Sequence, residues 1–87
     1  MDDTEKIVIE ICRRKRDGAS GKEIQQWTRL DRDRIIRTLE EHHNTIFRLT
    51  PLRDDPVGYR VDLIPGPGLD PIIAKFEEIL KHCIPEK

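Results

Sequence analysis

Apolar residues recur along this chain at two spacings, one helical and one strand-like, and the stretches between them are rich in Pro, Gly and Asp. Ile7, Val8, Ile11 and Cys12 return at three- and four-residue intervals while Lys6, Glu10, Arg13 and Arg14 take the other sides, which predicts an amphipathic helix over 4–16. Asp3 or Thr4 is placed to cap its start, and the run Arg13-Arg14-Lys15-Arg16 falls in its last turn, where cations meet the negative end of the helix dipole. Asp17-Gly18 breaks it. Ser20-Gly21-Lys22-Glu23 has the form of a capping box and predicts a short second helix over 21–28 with Ile24 and Trp27 inward. Arg29 and Leu30 leave room only for a tight bend. Asp31 then caps a third helix over 32–43, with Ile35, Ile36 and Leu39 inward and Asn44 at its end.

The spacing then changes from helical to alternating. Residues 45–50 place Phe47 and Leu49 on one face and Ile46 and Arg48 on the other, and residues 59–63 place Tyr59, Val61 and Leu63 opposite Arg60 and Asp62. The intervening Pro51-Leu52-Arg53-Asp54-Asp55-Pro56-Val57-Gly58 reads as the exposed tip of a hairpin. Pro65-Gly66-Pro67-Gly68 is a stiff connector, assigned to 64–70. Asp70-Pro71 supplies a cap and a first-turn proline for a last helix within 71–87, whose stripe is Ile72, Ile73, Phe76, Ile79, Leu80 and Cys83. That stripe either folds back on the first helix to complete the core or pairs with a second copy through residues 71–83. The expected architecture is mainly α, of the α+β class: a three-helix core, a two-stranded hairpin and an additional C-terminal helix.

Composition narrows the class. A chain of 87 residues, 36% hydrophobic and 38% charged, suits one soluble domain with a thin core. The formal net charge of -1 hides an uneven distribution. Residues 1–10 carry -3, whereas residues 11–37 hold nine Lys and Arg against Asp17, Glu23, Asp31 and Asp33, a net of +5. Local field, not total charge, is what attracts phosphates. Cys12 and Cys83 lie far apart on apolar helix sides and read as reduced buried thiols more readily than as a disulfide. No run approaches the roughly 18–20 apolar residues of a membrane span, and no signal peptide opens the chain, so an intracellular location, cytoplasmic or nuclear, is expected. His42-His43 are helix neighbours that point in different directions, and a zinc site needs about four ligands at workable spacing. The expectation is no metal, no cofactor, no catalytic residues and no enzymatic activity.

The order of a helix, a capped short helix opening Ser20-Gly21-Lys22-Glu23-Ile24, a turn at Leu30, a third helix with Ile35 and Leu39, and a hairpin after Asn44 resembles the winged helix-turn-helix family over residues 4–63. The resemblance sets residues 1–63 as that domain, residues 32–43 as its recognition helix and residues 51–58 as the tip of its wing. It implies nucleic-acid binding, duplex DNA in preference to RNA, and a part in transcription regulation. With Ile35 and Leu39 buried, Arg32, Asp33 and Arg37 point away from the core, joined by Arg34, Thr38 and Glu41. Guanidinium groups suit phosphates and guanine edges alike. Lys22 at a helix start, Arg53 in the wing, and residues 13–16, Arg13 and Arg14 foremost, are the expected backbone contacts.

Other features oppose that reading. Asp31 and Asp33 are spaced to neutralise Arg34 and Arg37, and Asp54 and Asp55 at the wing tip repel phosphate. The competing function is a winged helix used for protein–protein contacts within a larger transcription, repair or RNA-processing assembly. A narrower resemblance, to winged helices that bind left-handed duplexes, places Arg32 and Arg37 at basic positions. The chain departs from that pattern with Ile36 and Glu40 where the Asn and Tyr belong, and with Pro56 and Tyr59 but no Pro pair. Ile36 is expected to pack under the last helix.

Overall fold

A computed structural model describes residues 2–14 and 18–76. Helix α1 (Asp3–Arg13) is capped by Asp2, one residue ahead of the expected Asp3 or Thr4. Asp2 Oδ1 accepts from the Glu5 N–H at 2.8 Å and Glu5 Oε1 accepts from the Asp2 N–H at 3.0 Å, a reciprocal box that satisfies two helix-end donors. The helix buries Ile7, Val8, Ile9 and Ile11, a wider face than the sequence pattern marks. Strand β1 (Ala19–Ser20) follows, then α2 (Gly21–Thr28), α3 (Arg32–Glu41), β2 (Phe47–Pro51), β3 (Tyr59–Leu63) and α4 (Asp70–Lys75). Among the described residues the domain is therefore α+β, with four helices and a three-stranded antiparallel sheet in the order β1-β3-β2.

Strand β1 is an addition to the expected two-stranded hairpin. Two residues are too few to show a period, and Ser20 spends its side chain capping α2 while its main chain pairs with Arg60. Helix α3 stops at Glu41 rather than 43, and Asp31, although at its N-cap position, makes no side-chain cap bond. The chain reverses at Asn44, whose φ of 66° is left-handed, and the His42 carbonyl accepts from the N–H groups of Thr45, Ile46 and Phe47. This turn delays β2 to Phe47 and leaves Ile46 buried beside it instead of on an opposite face.

The core gathers Ile7, Val8 and Ile11 of α1, Ile24 of α2, Ile35 and Leu39 of α3, and Phe47 and Val61 of the sheet. Cys12 and Trp27 are partly buried against it; Cys83 lies outside the described residues. Leu69 is buried, and Ile72 and Ile73 pack against the same cluster. The start of the last helix thus packs on the same core, while the rest of its stripe, on which the choice between folding back and pairing with a second copy turns, lies outside the described residues. Its cap differs: Leu69 is the N-cap, Asp70 the first helical residue, and the Gly66 carbonyl accepts from the N–H groups of both. Ile79 and Leu80 also lie outside the described residues. No helix among the described residues is long and apolar enough to cross a membrane.

Strand β2 is an edge strand, and its free side is blunted. Leu52 donates to Gly58 and Ile64 to Ile46, so Phe47, Leu49 and Pro51 turn their main-chain groups away from β3. Phe47 is already engaged there with His42 and Asn44, and Pro51 has no N–H. Leu49 alone keeps an open edge donor among the described residues, too little to template another strand.

Helix α4 is tied to α1 by Lys75, whose Nζ donates to the buried Glu5 at 2.8 Å. The Lys75 ammonium, followed by the Asp2 N–H, holds the Glu5 carboxyl below its ordinary value of about 4.5. A depressed carboxyl stabilises the fold above that ordinary value, and the contribution is lost as pH falls through the folded-state value. Glu5→Gln is therefore expected to lower Tm at pH 7, with the gap from the wild type closing below about pH 4. Parallel melting curves from pH 3 to 7 check this, and a gap that stays constant with pH contradicts it.

Candidate nucleic-acid interface

The hairpin tip is folded onto the helices. Asp55 Oδ1 accepts from the Lys22 main-chain N–H at 3.0 Å, in the first turn of α2, while its Oδ2 accepts from Val57 and Gly58 at 2.9 Å each. Beside it, Arg32 Nε donates to the Pro56 carbonyl at 2.6 Å. The tip therefore bridges the starts of α2 and α3. This arrangement needs Gly21, because a Cβ there would lie 2.2 Å from Val57 Cβ and 2.5 Å from Asp55 Oδ2. A second tie runs from Tyr59, whose hydroxyl donates to Glu40 Oε2 at 3.2 Å and is held above its ordinary pKa by that carboxylate.

These ties explain Ile36. Arg32, Ile36 and Glu40 succeed one another at four-residue intervals, and Arg32 and Glu40 both reach the hairpin. Ile36 sits on the same edge of α3, half-buried against the core, between two residues that reach the hairpin. Most of the last helix, under which it was expected to pack, lies outside the described residues.

The expected contact residues divide into two groups. Arg34 is bound to Asp3 through Nε at 3.0 Å and Nη2 at 2.7 Å, in place of the local pairing with Asp31 that its spacing suggested. Asp3 is available because Asp2 does the capping. Thr38 is buried, not outward, and its hydroxyl donates to the Arg34 carbonyl at 2.8 Å. Arg14 pairs with Glu10 and lies 4.5 Å over the Trp27 ring, and Arg13 is 3.8 Å from the same Glu10. These four are occupied within the fold; Lys15 and Arg16 lie outside the described residues. Arg32 is shared between Pro56 and Asp33, the latter at 3.4 Å.

Lys22, Arg37 and Arg53 form the other group. All three are exposed, and among the described residues their side chains meet no acid. Asp33 lies one turn before Arg37 but engages Arg32, so the expected Asp33–Arg37 pair does not form among the described residues. The tip acids differ from their expected role as well. Asp55 is half-buried and committed to the main-chain N–H groups of Lys22, Val57 and Gly58, whereas Asp54 is exposed and left-handed, with φ 61°. A carboxylate thus already occupies the free-donor position at the start of α2 where a phosphate was expected beside Lys22.

Three exposed basic residues were not among the expected contacts. Arg48 and Arg60 are exposed on the outer face of the sheet, in register with Asp62 and Thr50, and alternation alone was enough to find them. Arg29, in the bend between α2 and α3, is exposed and left-handed, which no sequence signal marks. His42 stacks edge-on to Phe47 with centroids 6.5 Å apart, and His43 is exposed. Comparison of the chain with protein-family models, with curated proteins and with solved structures finds no match.

Proposed function

We propose that this chain is a winged-helix domain that binds a nucleic-acid duplex through α3 and the hairpin tip, the wing of the resemblance. The observation that carries the reading is the clasp of the tip onto α2 and α3. It brings Lys22 and Arg32 together at the start of α3, with Arg53 three residues before Pro56 in the same tip, while Arg37 is exposed further along the helix. The side chains of Lys22, Arg37 and Arg53 meet no acid among the described residues, Asp55 being taken up by main-chain N–H groups. DNA is favoured over RNA, because the major groove of B-form DNA admits a helix and that of A-form RNA does not. Regulation of transcription is the role that such binding would serve.

The test uses Lys22→Ala with Arg37→Ala, since neither side chain holds the fold together. Arg32 is a poorer choice because it anchors Pro56. Fluorescence anisotropy against a mixed-sequence DNA duplex is expected to show binding at low salt that weakens steeply as salt rises. In the double variant the affinity falls roughly tenfold or more, and the slope of log K against log salt shrinks by about 0.9 for each phosphate that is no longer neutralised. Absence of wild-type binding at low salt refutes the reading.

A second reading has its own support. Asp33, Glu40 and Glu41 are exposed on the same helix as Arg37, so the α3 surface is of mixed sign. Such a surface suits a protein partner with complementary charges, inside a larger assembly. A chain that ignores both DNA and a structured RNA at low salt favours this alternative.

A further inference from the structure

Among the described residues, three that are not glycine hold a positive φ: Arg29 at 60°, Asn44 at 66° and Asp54 at 61°. Asn and Asp visit this region routinely, because their short polar side chains bond locally. The Arg29 side chain makes no such local bond, and its charge at the negative end of α2 returns less than the left-handed conformation costs, at a position where glycine is the usual residue. The bend does not use the Arg29 side chain. Its main-chain N–H closes α2 by donating to the Gln25 carbonyl at 2.8 Å, a bond that any residue but proline makes. Thr28 does the rest: its hydroxyl donates to the Ile24 carbonyl at 2.7 Å and accepts from the Leu30 N–H at 3.3 Å. The guanidinium is exposed, with no hydrogen bond or ion pair among the described residues.

We infer that Arg29 is a phosphate-contacting residue of the duplex interface, kept in an unfavourable backbone conformation for what its side chain binds. The inference rests on the duplex-binding reading. Chain reach places the Arg29 Cα within about 11 Å of that of Arg32, at the end of α3 where the hairpin tip is clasped. A phosphate held by the Arg32 end of α3 is thus within chain reach of a residue in the bend between the two helices. Among the described residues the Arg29 guanidinium has no hydrogen bond or ion pair to hold that backbone strain in place, and strain of this kind gathers at functional sites.

The substitution Arg29→Gly separates binding from folding, because the two are expected to move in opposite directions. With the full chain, Tm equals or exceeds the wild-type value, while the Kd for a labelled mixed-sequence DNA duplex rises roughly three- to tenfold at low salt and the salt slope shrinks by about 0.9. Arg29→Lys keeps the charge and is expected to keep most of the slope. A glycine variant that binds with unchanged Kd and slope overturns the inference. So does one that melts lower, since the arginine would then be structural. If the wild type binds and Lys22→Ala/Arg37→Ala weakens it while Arg29→Gly does not, this inference alone fails. If the wild type does not bind, both fall together.

Discussion

Phe47→Ala is expected to remove about 3–5 kcal/mol of stability. The ring is fully buried and the largest such side chain among the described residues, and it stands where three parts of the fold meet. It opens β2, its main chain engages His42 and Asn44 at the turn leaving α3, and its side chain joins the cluster that α1, α2 and α3 share. No neighbour can collapse into the space without moving one of those elements, so the cavity cost adds to the lost transfer energy. A domain of this size holds roughly 4–13 kcal/mol in total. The variant is thus expected to be largely or wholly unfolded at 37 °C if the total lies at the low end, and to melt some 15–30 °C lower otherwise. Urea titration measures the loss directly. A loss under about 1 kcal/mol would show that the sheet is not seated on the helices through this residue.

Gly21→Ala is expected to destabilise by about 1–3 kcal/mol, although alanine is the better helix former by roughly 1 kcal/mol. The reversal of sign is the point of the experiment. Val57 is buried and its Cβ lies in the path of the new methyl, so the hairpin tip or the start of α2 must shift. Asp55 would lose its seat on the Lys22 N–H at the same time. Val57→Gly removes both the Cβ that the new methyl would meet at 2.2 Å and the Cγ2 at 2.8 Å. In a double-mutant cycle the pair is expected to be less destabilised than the sum of the single changes. Simple additivity would mean that the tip does not press on α2. Duplex affinity is expected to fall with the tip displaced, even though no charge has been removed.

Most element positions were legible because their residues interact with neighbours a turn or a strand apart. Ser20 and Glu23 form their capping box within four residues, and α2 begins and ends where that motif and Arg29 place it. The alternation of Tyr59, Val61 and Leu63 sets β3 with the expected bounds. The ends of α3 and β2 were less legible, because the turn at Asn44 depends on several bonds converging on one carbonyl, that of His42.

The candidate site was legible as a list of basic residues but not as an arrangement. Charge counting cannot distinguish Arg34 from Arg37, three residues apart on one helix, yet Arg34 is held by Asp3 from α1 and Arg37 is not held by any acid among the described residues. Nor does it reveal that Asp55 is a fastener of the hairpin rather than a repelling tip charge.

The sequence by itself determined the helices, the hairpin, the apolar faces that make the core, and the concentration of positive charge between residues 11 and 37. These follow from periodicity, capping and composition, which act over a few residues. Tertiary structure alone decided the third strand, the clasp of the hairpin onto α2 and α3, and which arginines are spent inside the fold. Those outcomes turn on pairings such as Asp3 with Arg34, Glu5 with Lys75 and Lys22 with Asp55, between residues some 30 to 70 positions apart. Their partners are chosen by how the core brings elements together, and no local pattern carries that information.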